Sequence, residues 1–218
     1  MKPTHHLDIT SLMSHSAGGM PSAFAIVAAT HLSLCPHCRL ELDHADRIGG
    51  VLLDKQEPAM LRAGAREMIL DRIKSLSLEQ PEIHAQDVCD LDALPLPLRP
   101  YFGETYSQLA WRFVAPGIHR ATTHEAVAGG DLMLLRVAPG KSIPEHTHGG
   151  NEMTCILRGA YDDLLGHFGP GDLADLDGET FHQPVTSPGG PCICVAATDA
   201  PLRFKGWFAR TLQPLFGL

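Results

Sequence analysis

The stretch Gly140-Lys-Ser-Ile-Pro-Glu-His146-Thr-His148-Gly-Gly-Asn-Glu152-Met-Thr-Cys-Ile-Leu-Arg-Gly159 decides how the C-terminal half of the chain is read. His146 and His148 stand two apart, and the period-two alternation of a strand turns both side chains to one face. The Gly149-Gly150 turn lets Glu152 return toward them, and Thr154-Cys155-Ile156-Leu157-Arg158 continues as a β-type run. A fourth donor has to come from a distant strand, and His182 in Gly178-Glu-Thr-Phe-His182 is placed to supply it. Zinc, manganese, nickel and iron all accept three imidazoles and a carboxylate, so the set points to a metal without selecting one.

The spacing from Gly140 through His146, His148 and Glu152 to Gly159 matches the first motif of the cupins. That resemblance implies a double-stranded β-helix barrel with these ligands facing its lumen. The second motif is reduced to its histidine: Asp177 and Glu179 stand where the family carries proline and glycine, and Thr186 where asparagine is common. Around the motif lie further short β-type runs, Trp111–Val114, Asp131–Val137 and Cys192–Val195, punctuated by glycine, which predicts an antiparallel barrel or sandwich. Cys192 and Cys194 share a strand face. Two small apolar core residues is the favoured reading of that pair, a redox pair the other; Cys89 and Cys155 carry no reading beyond packing.

The N-terminal third has a different texture. Pro21 precedes an apolar run from Ser22 to Leu32 without internal glycine or proline, which predicts a helix. A second helix is expected over Arg39–Ile48, ended by Gly49-Gly50. Pro58 opens a third pattern, with Met60, Leu61, Ala65, Met68, Ile69 and Ile73 on one stripe. Between Ser75 and Pro100, prolines 81, 95, 97 and 100 break helical continuity and predict a linker. The expected architecture is therefore α plus all-β in two domains: a zinc-stabilised helical bundle over 1–85, a proline-rich linker over 86–100 and a cupin barrel over 101–218.

Within the helical part, His31-Leu-Ser-Leu-Cys35-Pro-His-Cys38 sets a histidine four residues before a Cys-x-x-Cys pair. Two thiolates three apart on a proline-containing turn can hold one tetrahedral ion, and a histidine at the preceding helix end can reach it. His6 or His5 supplies the fourth ligand, with His15 a further option; His37 and His44 read as solvent-facing. Three short helices bury little surface alone, so a structural zinc has a physical motive. A thioredoxin-like redox role would need a βαβ setting, which this region lacks.

Composition limits the remaining choices. The 218 residues suit two compact units. A formal net charge of −8 with scattered Lys and Arg argues against direct DNA binding and suits a basic protein partner. Neither an apolar leader nor a run of about 18 apolar residues is visible, so a cytoplasmic, non-membrane protein is expected. Six cysteines in a reducing compartment fit metal ligation better than disulfides.

His6, His31, Cys35 and Cys38, followed by a helical segment and then a cupin, resemble the zinc-binding, ChrR-like anti-sigma factors. The resemblance runs over nearly the whole chain. It implies a 1:1 heterodimer with a group IV (extracytoplasmic-function) sigma factor, the helical domain inserting between the sigma domains and covering their polymerase surfaces. It also implies release under singlet-oxygen or peroxide stress, sensed through the barrel metal, and no enzymatic activity. The rival expectation is a cupin-type metal-dependent dioxygenase, for which the same lumen ligands would serve but which has no need of the Cys₂His₂ site.

Overall fold

The structure is a computed structural model that describes residues 2–76 and 91–204. Part of the expected linker (86–90) with Cys89, the boundary at 85 and the last residues of the barrel domain lie outside the described residues. The N-terminal part comprises α1 (Ile9–Ser16), α2 (Ser22–Leu34), α3 (Pro36–Asp54) and α4 (Ala65–Ser75). Asp8 caps α1, its side chain accepting from the Thr10 amide at 2.7 Å. Cys35 is both the end of α2 and the N-cap of α3, with Pro36 in the first turn, where a missing N–H costs nothing.

Gly49-Gly50 do not end the second helix: α3 runs through them to Asp54, capped at Lys55. Neither glycine has a heavy atom within 4 Å of where a Cβ would stand, so nothing packs against them to force a turn, and the helix carries the pair at about 1 kcal/mol each relative to alanine. The third helix starts not at Pro58 but at Ala65, behind Gly64 in the left-handed region at φ 77°.

The C-terminal part is antiparallel throughout its described pairings. A six-stranded sheet has the order β1 (Arg112–Ala115), β2 (Ile118–Thr122), β3 (Asp131–Val137), β10 (Cys192–Thr198), β5 (Glu152–Arg158), β8 (Leu173–Leu176). Opposite it lie β6 (Tyr161–Asp163) between β7 (Gly166–Phe168) and β9 (Val185–Thr186), and the pair β4 (His146–His148) with β11 (Leu202–Phe204). Strand alternation sorts the two faces of the larger sheet. Ile156, Ala174, Cys192 and Cys194 turn into the lumen with Tyr161 and Phe168, while Cys155, Leu173, Ile193 and Val195 turn outward. The outward face is as dry as the lumen, because α2 lies across it: Phe24, Val27, Ala28 and Leu32 belong to the same cluster. This double burial explains why β10 is an apolar run rather than an alternating one.

It also explains α2 itself, which has no polar face. One side meets α1 and α3, the other meets β5, β10 and β3. The second half of the stretch read as a linker is packed rather than loose. A 3₁₀ turn at Leu96–Leu98 packs against α2 and leads into α5 (Arg99–Phe102), with Leu94 at 1% and Leu98 at 0% exposure. The described prolines stand at helix starts rather than ends, Pro97 in the 3₁₀ turn and Pro100 in the first turn of α5, and the leucines among them are apolar anchors that carry the chain along the seam between the helices and the sheet.

Candidate metal centres

The first site forms where α2 ends and α3 begins. His31 from the last turn of α2, Cys35 at the junction, Cys38 in the first turn of α3 and His6 from the segment before α1 bring one donor atom each within 4.8 Å of one another. The His31 Nε2 to Cys38 Sγ distance is 3.2 Å, and His6 Nδ1 lies 3.4 Å from Cys35 Sγ and 3.5 Å from Cys38 Sγ. Donors at about 2.0–2.3 Å from one tetrahedral ion stand roughly 3.3–3.8 Å apart, so these residues fit a metal in both type and spacing. The sequence left three histidines open for the first ligand. His6 is the one whose nitrogen joins the cluster; His5 instead stacks on Phe168 at 3.9 Å between ring centroids, and His15 sits beside Asp46. His37 and His44 are exposed, as expected.

The electrostatics favour neutral imidazoles and a cation. Burial lowers the pKa of His31 and of His6, in the latter helped by His37, so both present lone pairs near neutral pH. Burial pushes the Cys38 thiol up to about 11; a bound cation is what would favour its thiolate. At the N-cap of α3, Cys35 Sγ accepts from the Cys38 amide at 3.5 Å, at the positive end of the helix dipole. His31 Nδ1 donates to the Gly171 carbonyl at 2.7 Å, which fixes the tautomer and aims Nε2 at the other donors. Gly171 belongs to the barrel, in the turn before β8. The next residue, Asp172, also reaches across. Burial would raise its pKa, but donations from the Gly169, His5 and Thr4 amides prevail and hold it below the ordinary carboxylate value.

The second site is in the lumen. His146 (β4) and His182 are buried and face each other, Nε2 to Nε2, at 3.1 Å. His146 Nδ1 lies 2.8 Å from the Pro144 carbonyl, which has no proton to give, so Nδ1 donates and Nε2 carries the lone pair. His182 Nδ1 donates to Asp163 at 3.2 Å, whose side chain is fully buried. The two Nε2 atoms thus converge on one point, where a bound ion would take a lone pair from each. Glu152 lies on the wall of the same cavity, of about 80 Å³, with Tyr161, Cys192 and Cys194, and its Oε1 accepts from Thr154 Oγ1 at 2.8 Å. His148 is on β4, paired with Leu202; its side chain lies outside what is described. Burial raises both thiols, Cys192 to about 12 and Cys194 well above its ordinary value.

Sequence reasoning missed Asp163, Gly171 and Asp172. No local pattern marks them, since each acts on a residue that only the fold brings near: His31 and Gly171 are 140 positions apart.

Comparison with known proteins follows the same division. Residues 103–200 match the family model described as the ChrR cupin-like domain. The chain is 36% identical over 216 residues to the anti-sigma-E factor ChrR of Cereibacter sphaeroides, covering 97% of each chain. Among solved structures it resembles ChrR in the crystal structure of Rhodobacter sphaeroides SigE in complex with that anti-sigma factor, with a TM-score of 0.76 and 32% identity, over 91% of this chain and 100% of that one. A likeness to the polyketide cyclase RemF of Streptomyces resistomycificus has a TM-score of 0.40 at 20% identity over 51% of this chain and 92% of that one, and carries no argument.

Proposed function

The chain belongs to the ChrR family of anti-sigma factors, and from that premise we propose that it binds one group IV sigma factor as a 1:1 heterodimer, masks its polymerase surfaces, and releases it on singlet-oxygen or peroxide stress. The chain is a regulatory protein and not an enzyme; the dioxygenase reading, which rested on the lumen ligands alone, gives way to this.

The observation that carries the masking role is the apolar surface left open on the helical side. Every residue of α4 except Ala65 is exposed, including Met68, Ile69 and Ile73. The outer end of α3 presents Val51, Leu52 and Leu53, the last at 73% exposure. Large apolar side chains left in water along two helices mark a protein-binding face. The acidic balance of the chain suits a basic partner surface.

In this reading His6, Cys35, Cys38 and His31 hold zinc, with four protein donors and no open position. When bound, zinc would supply a cross-link between the N-terminal segment, α2 and α3. His31 and Cys38 set the angle between the two helices, and the Cys35 cap fixes where α3 starts. The lumen residues His146, His148, Glu152 and His182 would hold a second divalent metal, zinc or another, as the sensing element. Among the described residues no helix is long and apolar enough to cross a membrane, and we place the protein in the cytoplasm with its sigma factor, without direct DNA contact. Purification from the host, with identification of the bound protein and metals, tests the proposal. A stoichiometric sigma factor whose transcription the purified chain inhibits is the expected result; a chain that purifies alone and leaves every host sigma factor active would refute it.

A further inference from the structure

The two residues before His6 are held by the barrel, whereas Leu7 after it lends its amide to the Cys38 thiol. Asp172, 5% exposed and in the barrel turn before β8, accepts on Oδ1 from the Thr4 amide at 2.5 Å and the His5 amide at 2.9 Å, with Thr4 Oγ1 at 3.3 Å. Its Oδ2 accepts from the Gly169 amide at 2.7 Å, which closes the turn on itself. The Leu173 amide donates to the His5 carbonyl at 3.3 Å, so Thr4 and His5 are clipped to the barrel through both their donors and an acceptor. His6 is the next residue. In the same turn, the Gly171 carbonyl holds His31 Nδ1. Gly171 sits at φ 89°, and a Cβ there would come within 2.8 Å of Pro3 Cγ, so the close approach of this turn to the N-terminal segment requires glycine. Two of the four donors of the N-terminal site are therefore aimed by one four-residue turn of the barrel, from 169 to 172.

We infer that Asp172 is a positioning residue for the N-terminal metal site, and that the barrel, through this turn, sets the affinity of that site. The inference rests on the reading that His6, His31, Cys35 and Cys38 hold a metal. Removing a carboxylate that orients a ligand costs metal affinity without removing a ligand. A displacement of the turn within the barrel would reach His6 and His31 directly, with no need to pass through the exposed faces of α3 and α4. β8, which starts beside Asp172, pairs with β5 so that Leu176 lies opposite Glu152. The lumen and the turn are thus joined by a single strand.

The test compares the full-length wild-type chain with Asp172→Ala and Asp172→Asn. Zinc affinity is measured by competition with a chromophoric chelator, the Co(II) spectrum is recorded, and circular dichroism with thermal melting monitors the fold. Asp172→Ala is expected to weaken zinc binding about 10–100-fold. In the Co(II) form it should keep the thiolate charge-transfer bands while the d–d bands shift and weaken, because His6 is no longer held. Asp172→Asn keeps one acceptor for the Thr4 and His5 amides and should fall between. If Asp172→Ala does not fold, Asp172→Asn decides, with a loss of at least about threefold expected. Folded variants within twofold of wild type with an unchanged Co(II) spectrum overturn the inference, as does loss of fold in both, since Asp172 would then serve the barrel alone. A wild-type chain that takes up neither ion defeats the metal reading itself, and the inference with it.

Discussion

Cutting the chain at residue 85 takes the barrel away from α2, and the size of that loss can be worked from the contacts. Phe24 packs beside Gly130 and Thr198, and His31 and Leu34 lie against Gly171. This spacing of three to four residues puts Val27 and Ala28 on the same side. Re-exposing Phe24, Val27 and Ala28 costs about 4–7 kcal/mol at the usual worth of buried apolar side chains. That approaches the whole stability of a small domain, about 5–15 kcal/mol. Zinc binding to a small closed site contributes about 10–16 kcal/mol in comparable peptides, and loss of the turn that aims His6 and His31 removes only about 1.4–2.7 kcal/mol of it, the equivalent of 10–100-fold. The zinc-loaded fragment 1–85 should therefore be folded and bind its sigma factor, whereas chelation should unfold it. Chelation of the full chain should leave the barrel intact, with α2 still seated on the sheet. Far-UV circular dichroism of both, with and without chelator and with sedimentation to confirm monomers, reads the difference. A metal-free fragment that keeps its helical signal and a cooperative melt would refute the reasoning, as would a zinc-loaded fragment that is unfolded.

Cys35→Ala or Cys38→Ala in the full chain should abolish inhibition in a transcription assay and lower bound zinc by one per chain; unaltered inhibition by a chain lacking that zinc would separate the site from the grip. His146→Ala or Glu152→Ala should leave sigma binding intact and remove release under singlet oxygen, measured with a sigma-dependent reporter; constitutive reporter activity from a folded variant would instead make the barrel part of the grip. Burial raises the Asp175 carboxyl above its ordinary value, so its ionisation is a penalty that grows as pH rises through the carboxylate range and persists at pH 7. Asp175→Asn, which still offers an oxygen to the Asp8 amide, should raise the melting temperature at pH 7 and lose that advantage toward pH 3. Gly159 sits at φ 70°, where a Cβ would stand 2.3 Å from the Pro191 carbonyl oxygen; Gly159→Ala should destabilise the barrel by more than about 1–3 kcal/mol in urea titration.

The parts of the fold that sequence carried were those written in adjacent residues. The run from Ser22 to Leu32 marked a helix, and the His-x-His spacing with its framing glycines put His146 on a strand. His182 could be offered as a donor from a distant strand, but the residue that aims it, Asp163, is 19 positions away and carries no local mark. Gly49-Gly50 misled because glycine stops a helix only where the chain gains something by turning, and α3 projects into solvent. The prolines from 95 to 100 misled for the opposite reason: breaking a helix does not free a chain when Leu94 and Leu98 have a seam to fill. Among His5, His6 and His15, spacing alone left the choice open and only the family resemblance named His6, because the residue that holds Thr4 and His5, Asp172, is 167 positions from His5.

The two glycines in α3 also divide that helix mechanically. Cys38 lies in its first turn, and Gly49 follows eleven residues later, about 16 Å along the axis. Between them Ala45 is buried against the core, whereas from Gly49 outward every residue of α3 is exposed. A pair of residues without side chains is the softest place to bend a helix, so a distortion imposed on Val51–Asp54 is absorbed at the pair before it reaches Cys38. The end that has to adapt its shape is thereby insulated from the end that has to keep it, and strain at the outer tip leaves His31, Cys35 and Cys38 undisturbed.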